Sequence, residues 1–188
     1  MEQEFRMLIT SVEREGINDL IGFIENTDFF TAPASTKHHG AKKGGLLEHS
    51  LMVYKYLDKL DETFHVLPDS SKSSLEITAL CHDLCKADYY TVAYRNSKEN
   101  GQWVKVPYYT VEDDFPAGHG EKSVIILQRF IKLTDDELMA IRWHMGGFDD
   151  TARGGYAGSS SMGTAFARYP LITALHAADM LATNWDKV

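Results

Sequence analysis

Ala79-Leu80-Cys81-His82-Asp83-Leu84-Cys85-Lys86 sets an adjacent histidine and aspartate inside an otherwise apolar segment. With Leu75 and Ile77 ahead of it, the run has the composition of a helix packed on most sides. A carboxylate in that setting must be hydrogen-bonded, paired or bound to a metal, because burying it alone is very costly. The doublet by itself leaves two readings open, a buried His-Asp hydrogen bond or a pair of metal ligands. What separates them is whether the rest of the chain supplies more ligands.

At 188 residues the chain is long enough to bury a sizeable core and is most simply one domain. Its 19 Lys+Arg stand against 27 Asp+Glu, a formal net charge of -8. Such a chain is poorly suited to tracking a long polyanion, although a local basic cluster can still hold one phosphate. Cys81 and Cys85 lie four apart and would share a helix face, where a disulfide is geometrically awkward. They read as small core residues in a reducing compartment. No apolar run is long enough to span a bilayer, and the acidic N-terminus lacks the basic start of a secretory signal. The expectation is a cytoplasmic protein with no membrane partner.

Outward from the doublet, the chain reads mostly as helix. Residues 2–27 carry two apolar stripes, Phe5-Leu8-Ile9-Val12 and Ile17-Leu20-Ile21-Ile24, which break near Gly16. Asp28 to Gly45 is a loop holding His38, His39, Lys37, Lys42 and Lys43, either a solvated segment or a phosphate-facing entrance. Leu46 to Leu60 is a helix with His49 near its start, and Asp69 to Ser74 is a turn leading into the doublet's helix. Tyr89–Tyr94 and Gln102–Tyr109, separated by the polar run Asn96–Gly101, predict a β-hairpin whose aromatics either stack on a base or pack on the bundle. Gly118-His119-Gly120 opens a further helix. Thr134 and Glu137 form a capping box for the helix that ends at His144. Residues 146–163, rich in Gly and Ser and containing Arg153, read as a mobile loop, either a candidate lid or an idle segment. A last helix, roughly Phe166 to Asn184, carries Asp179 in an apolar setting.

The ordered set is therefore His49, His82-Asp83, His119, His144 and Asp179. Imidazoles and carboxylates in this mix suit divalent Mn, Fe, Zn or Ni without thiolate. One aspartate can bridge two ions, which together can stabilise both oxygens of an in-line displacement at phosphorus. The element Gly44-Gly-Leu-Leu-Glu-His49, the doublet with its trailing Lys86, and Asp179 in a late helix resemble the HD superfamily of metal-dependent phosphohydrolases. The resemblance spans about residues 37–183, behind a helical leader and loop at 1–36. It is closest to the HD domain of bacterial 3′–5′ exoribonucleases. In place of the OB-type nucleic-acid module of those enzymes stand the leader and the inserted hairpin (about 89–109), which points away from a long polymeric substrate.

The resemblance implies a mostly α helical bundle with His49, His82, Asp83 and Asp179 as the core metal ligands. His119 and His144 match the extra histidines of the two-metal branch, so one or two divalent ions are implied, with Asp83 bridging. Lys86 matches the family lysine that neutralises a phosphate oxygen. His176 stands either behind the ligands or in the core. The implied activity is hydrolysis of a phosphoester in a nucleotide or short oligonucleotide by a metal-activated hydroxide oriented by Asp83. Lys42, Lys43 and Arg153 are candidate phosphate contacts. Two rivals share the same residues: a di-iron oxygenase of the same superfamily, and a non-catalytic module that senses a nucleotide.

Overall fold

The structure, a computed structural model, describes residues 1–38, 40–67 and 72–185. It is the expected helical bundle with a small hairpin attached. Helix α1 (Glu2–Thr10) buries Phe5 and Ile9, and α2 (Ile17–Asn26) buries Leu20 and Ile24. Each pair is four residues apart and so lies on one helix face. Both pairs join Leu46, Leu47 and Leu51 of α3 (Gly45–Phe64) and Ile77 and Leu80 of α4 (Lys72–Cys81) in one apolar cluster. A second cluster takes Val53 and Leu57 of α3, Leu75 and Ala79 of α4, and Leu171, Ile172 and Leu175 of the last helix. The two clusters thus share α3 and α4 as a common wall. Every residue from Leu75 to Cys85 is buried, as the apolar run requires.

The doublet is not inside a continuous helix, however. Helix α4 stops at Cys81, and a short 3-10 turn, Leu84–Lys86, follows. Neighbours on a regular helix point about 100° apart. Leaving the helix after Cys81, with Asp83 at φ -102° and ψ 20°, lets both side chains of the pair reach one site.

The leader is locked to the rest of the chain by a buried ion pair. Arg14 donates from both terminal nitrogens to Glu137, at 2.7 and 2.8 Å. Ser74 adds a third donor at 2.7 Å and the Thr134 backbone N–H a fourth at 2.8 Å. The last of these belongs to the expected capping box at the start of α6 (Asp135–Trp143).

Strands β1 (Tyr90–Glu99) and β2 (Gln102–Val111) pair antiparallel, and the turn is tighter than the polar run suggested. Only Asn100 and Gly101 form it, both at positive φ (49° and 83°). Asn-Gly is the pair that a two-residue turn with two left-handed positions favours, so Asn96 to Glu99 extend the strand instead. Helix α5 (His119–Leu127) follows.

The expected mobile loop at 146–163 is folded. It holds a 3-10 turn (Gly146–Phe148), α7 (Asp150–Arg153) and most of α8 (Tyr156–Arg168). Two of the glycines there serve close packing: a Cβ on Gly158 would strike the Thr151 carbonyl, and one on Gly146 the His176 ring. The last helix, α9 (Pro170–Asn184), starts four residues later than expected, because Pro170 takes its first position and Phe166 belongs to α8. His39 and residues 69–71 of the expected turn at 69–74 lie outside the described residues, and 72–74 already belong to α4. Among the described residues no helix is long and apolar enough to cross a membrane.

Candidate metal centre

The ligand candidates arrive from separate elements. His49 projects from α3, Asp179 from α9 and His119 from the first position of α5. His82 and Asp83 follow the end of α4, and His144 caps the end of α6. Asp83 is the common point. Its Oδ2 lies 3.5 Å from His49 Nε2 and 3.4 Å from His82 Nε2. Its Oδ1 lies 2.7 Å from His119 Nε2 and 3.7 Å from His144 Nε2. Asp179 Oδ1 completes the first side at 3.2 Å from His49 Nε2. His144 also groups with His82 and Asp179, so it stands between the two sides of Asp83.

The imidazole tautomers show what this arrangement is built for. His82 Nδ1 donates to the Ala79 carbonyl at 2.9 Å, and His144 Nδ1 donates to the Ile141 carbonyl at 2.6 Å. A carbonyl can only accept, so the hydrogen is on Nδ1 and the lone pair on Nε2. Both Nε2 atoms are buried and have no hydrogen-bond partner among the described residues. They turn lone pairs toward carboxylate oxygens, which is repulsive until a cation lies among them. Nitrogen-to-oxygen spacings of 3.2 to 3.7 Å also suit ligand atoms each about 2.0–2.2 Å from a shared ion. Backbone-anchored Nδ1 atoms are the usual support for metal-binding histidines. The cluster can therefore hold a divalent metal.

The Oδ1 side differs. His119 Nε2 donates to Asp83, and its Nδ1 lies 3.4 Å from Cys85 Sγ. Asp83, Cys85 and His119 form a second group with metal-ligand spacing. Cys85 is buried as a small core residue, as expected. No sequence signal marks its approach to His119, which depends on the fold of α5 against the 3-10 turn.

The electrostatics agree with an anionic centre. Burial pushes the Asp83 carboxyl up, but the Lys86 ammonium and the hydrogen bond from His119 outweigh it and hold it well below the usual carboxylate range. Asp179 is likewise lowered, burial being outweighed by its hydrogen bond with His49. Burial pushes the Lys86 ammonium down and the Asp83 carboxylate more than restores it, so it stays charged. Burial pushes the Cys85 thiol up to about 12, leaving it protonated in this arrangement.

A cavity of about 620 Å³ opens onto the cluster and reaches Asp83, Lys86, His119, His176 and Asp179. That volume suits a small-molecule ligand. Lys86 Nζ sits at its edge, 2.6 Å from Asp83 Oδ2. His176 also faces it, with Nδ1 donating to the His144 carbonyl at 2.6 Å and its ring against Gly146, where a Cβ would stand 2.9 Å from Cε1. The loop before α3 contributes Ser35, Thr36 and His38 to the wall. Lys42, Lys43 and Arg153 are not among the lining residues. Lys42 pairs with Glu48 at 2.7 Å, and Lys43 and Arg153 are exposed.

Among known proteins, no curated sequence and no solved structure is significantly similar to this one. A family model does match: that of the HD domain, over residues 46–187, which takes in every ligand candidate from His49 to Asp179. That span covers most of the chain, and the chain belongs to the HD domain family.

Proposed function

We propose that this protein is a metal-dependent phosphohydrolase acting on a phosphoester in a nucleotide or short oligonucleotide. The observation that carries the reading is Asp83, one buried carboxylate with imidazole nitrogens converging on both of its oxygens. His49, His82, Asp83 and Asp179 would hold a first divalent ion, and Asp83, His119 and His144 a second. Such ions supply Lewis acidity at a phosphoryl oxygen and acidify a water molecule. The chain's own residues do the rest. Asp83 fixes the two ligand groups against each other, and Lys86 offers positive charge at the cavity edge where charge builds on the non-bridging oxygens. The Tyr90 ring on the cavity wall offers a surface for the organic part of the substrate. Among the family's enzymes we liken this chain to the HD domains of 3′–5′ exoribonucleases, on the Gly44–His49 element, Gly118-His119 and His144-Met-Gly146. The two free cysteines suit a reducing cytoplasm.

The test is hydrolysis of a generic phosphodiester and a phosphomonoester by protein purified without chelator, with Mn, Mg, Ni and Fe(II) added in turn. Metal-dependent release that disappears in Asp83→Ala is the expected result. No release with any metal would overturn the reading, and retained iron with oxygen uptake would transfer the site to oxygenase chemistry.

A further inference from the structure

The hairpin carries a surface that the metal centre does not explain. Opposed residues of an antiparallel pair share a face. One face therefore runs Tyr90/Val111, Val92/Tyr109, Tyr94/Pro107, Asn96/Lys105 and Lys98/Trp103 from the base of the hairpin to its tip. Several of its large side chains are in solvent, Trp103 being 73% exposed, Tyr94 66% and Val92 53%, whereas Tyr90 and Tyr109 are half-buried. On the opposite face Ala93, Ser97, Val104 and Val106 are half-buried. Four of the hairpin's five aromatics thus stand on the open side, while on the opposite face Tyr108 is 37% exposed and lies under the Arg95 guanidinium.

Two further observations say what this open face is for. Tyr90 and Val111, its base, line the metal cavity together with Asp83 and Lys86. The exposed aromatics are therefore the outward continuation of the cavity wall. The face also carries two lysines and no carboxylate, in a chain whose net charge is -8. Aromatic rings spaced along a cationic strip are what unpaired bases stack on while their phosphates are neutralised. From Tyr90 to Lys98 the strip covers roughly 26 Å at about 3.3 Å per strand residue, room for several nucleotides.

We propose that this hairpin face binds the unpaired bases of a single-stranded oligonucleotide whose terminal phosphoester occupies the metal cavity. The inference rests on the phosphohydrolase reading and gives it a substrate class. Stacking needs free base faces, so duplexes are excluded, and every base presents a ring face, so sequence preference is weak. A second copy of the chain is the poorer occupant. A two-fold contact sets the same patch against itself, bringing Lys98 and Lys105 toward their equivalents between two chains of net charge -8.

The test uses the protein as purified and a fluorescein-labelled thymidine hexanucleotide with phosphorothioate linkages, with binding read from fluorescence anisotropy and thymidine monophosphate measured by competition. The hexanucleotide should bind at least about tenfold more tightly than thymidine monophosphate, and Trp103→Ala or Tyr94→Ala should each remove about tenfold from the hexanucleotide alone. Replacing Lys98 and Lys105 together by Ala should flatten the salt dependence by about 1.4 in log–log slope, about 0.7 for each phosphate no longer neutralised. Equal affinities for hexanucleotide and mononucleotide, or no change in either aromatic variant, would overturn the proposal. So would a concentration-dependent dimer that Trp103→Ala abolishes while hexanucleotide binding stays intact. Failure of the hydrolase reading shows separately, as absence of metal-dependent turnover of a generic diester by the unaltered protein.

Discussion

Among the buried carboxylates of this bundle Glu137 and Asp83 make the sharpest contrast, for the chain completes the first and not the second. Glu137 accepts from Arg14 twice, from Ser74 and from the Thr134 backbone. Each partner is a donor, and the group is satisfied by protein alone. Asp83 has Lys86 and His119 as donors, but His82 and His144 present it with bare nitrogen. A buried carboxylate surrounded by donors holds a fold together; one that shares its surroundings with inward lone pairs is built to receive a cation. Hydrogen-bond accounting, more than burial or charge, tells the two apart.

The largest expected break in this comparison is Asp83→Ala. Removing the shared ligand should lower phosphoester hydrolysis on the order of a thousand-fold or more, since metal stabilisation of the transition state amounts to several kcal/mol. Circular dichroism should meanwhile show the helical content unchanged. A variant with near-normal turnover would remove Asp83 from the centre.

The matching lesion on the other side is Arg14→Ala, which strands Glu137 without its cation. Breaking a buried pair from one side costs about 3–5 kcal/mol, here moderated because Arg14 is 18% exposed. Denaturant unfolding should register the loss, while turnover per folded molecule stays at the level of the parent. A large loss of turnover would mean that the leader does more than brace the bundle.

The two sides of Asp83 can be separated as well. His119→Ala should weaken only the second equivalent of metal, and His82→Ala should remove the first, each ligand or supporting loss changing affinity about 10–100-fold or more. Calorimetric titration with Mn(II) reads both. Equal effects of the two variants on both equivalents would contradict a divided site.

The smallest expected effect is on acid stability. Burial raises the Glu137 carboxyl, but Arg14, Ser74 and Thr134 more than offset it and leave it below the usual glutamate value. A carboxyl lowered in the folded state stabilises above its unfolded pKa, and that contribution is lost as pH falls through the folded value. Glu137→Gln should therefore be less stable than the parent near neutrality and lose less on acidification. Parallel pH profiles would show that Glu137 contributes nothing to the acid limb.

Much of the framework was legible in the sequence because it rests on local periodicity. The stripes at Phe5-Ile9 and Leu20-Ile24, the Thr134 capping box and the all-round burial at Leu75–Cys85 follow from residue spacing alone. The ligand candidates were legible as polar residues in apolar surroundings. What escaped depends on distance in the chain or on backbone detail. Arg14 and Glu137 are 123 residues apart, with no pattern to join them. Cys85 approaches His119 only through tertiary packing. The Gly/Ser stretch looked like a loop because small residues serve flexible segments and close helix packing alike, and Gly158 is a case of the second. The lysines at 42 and 43 drew attention by their charge, whereas the loop lines the cavity with Ser35, Thr36 and His38.

The most direct test of the comparison is the thermal shift on adding Mn(II) to metal-free protein, run side by side on the parent, Asp83→Ala and Glu137→Gln. Binding to the folded state alone raises its stability by mass action. Tm should rise with Mn(II) concentration for the parent, rise equally for Glu137→Gln from its lower starting point, and stay unchanged for Asp83→Ala. A rise in Asp83→Ala equal to that of the parent would contradict the comparison.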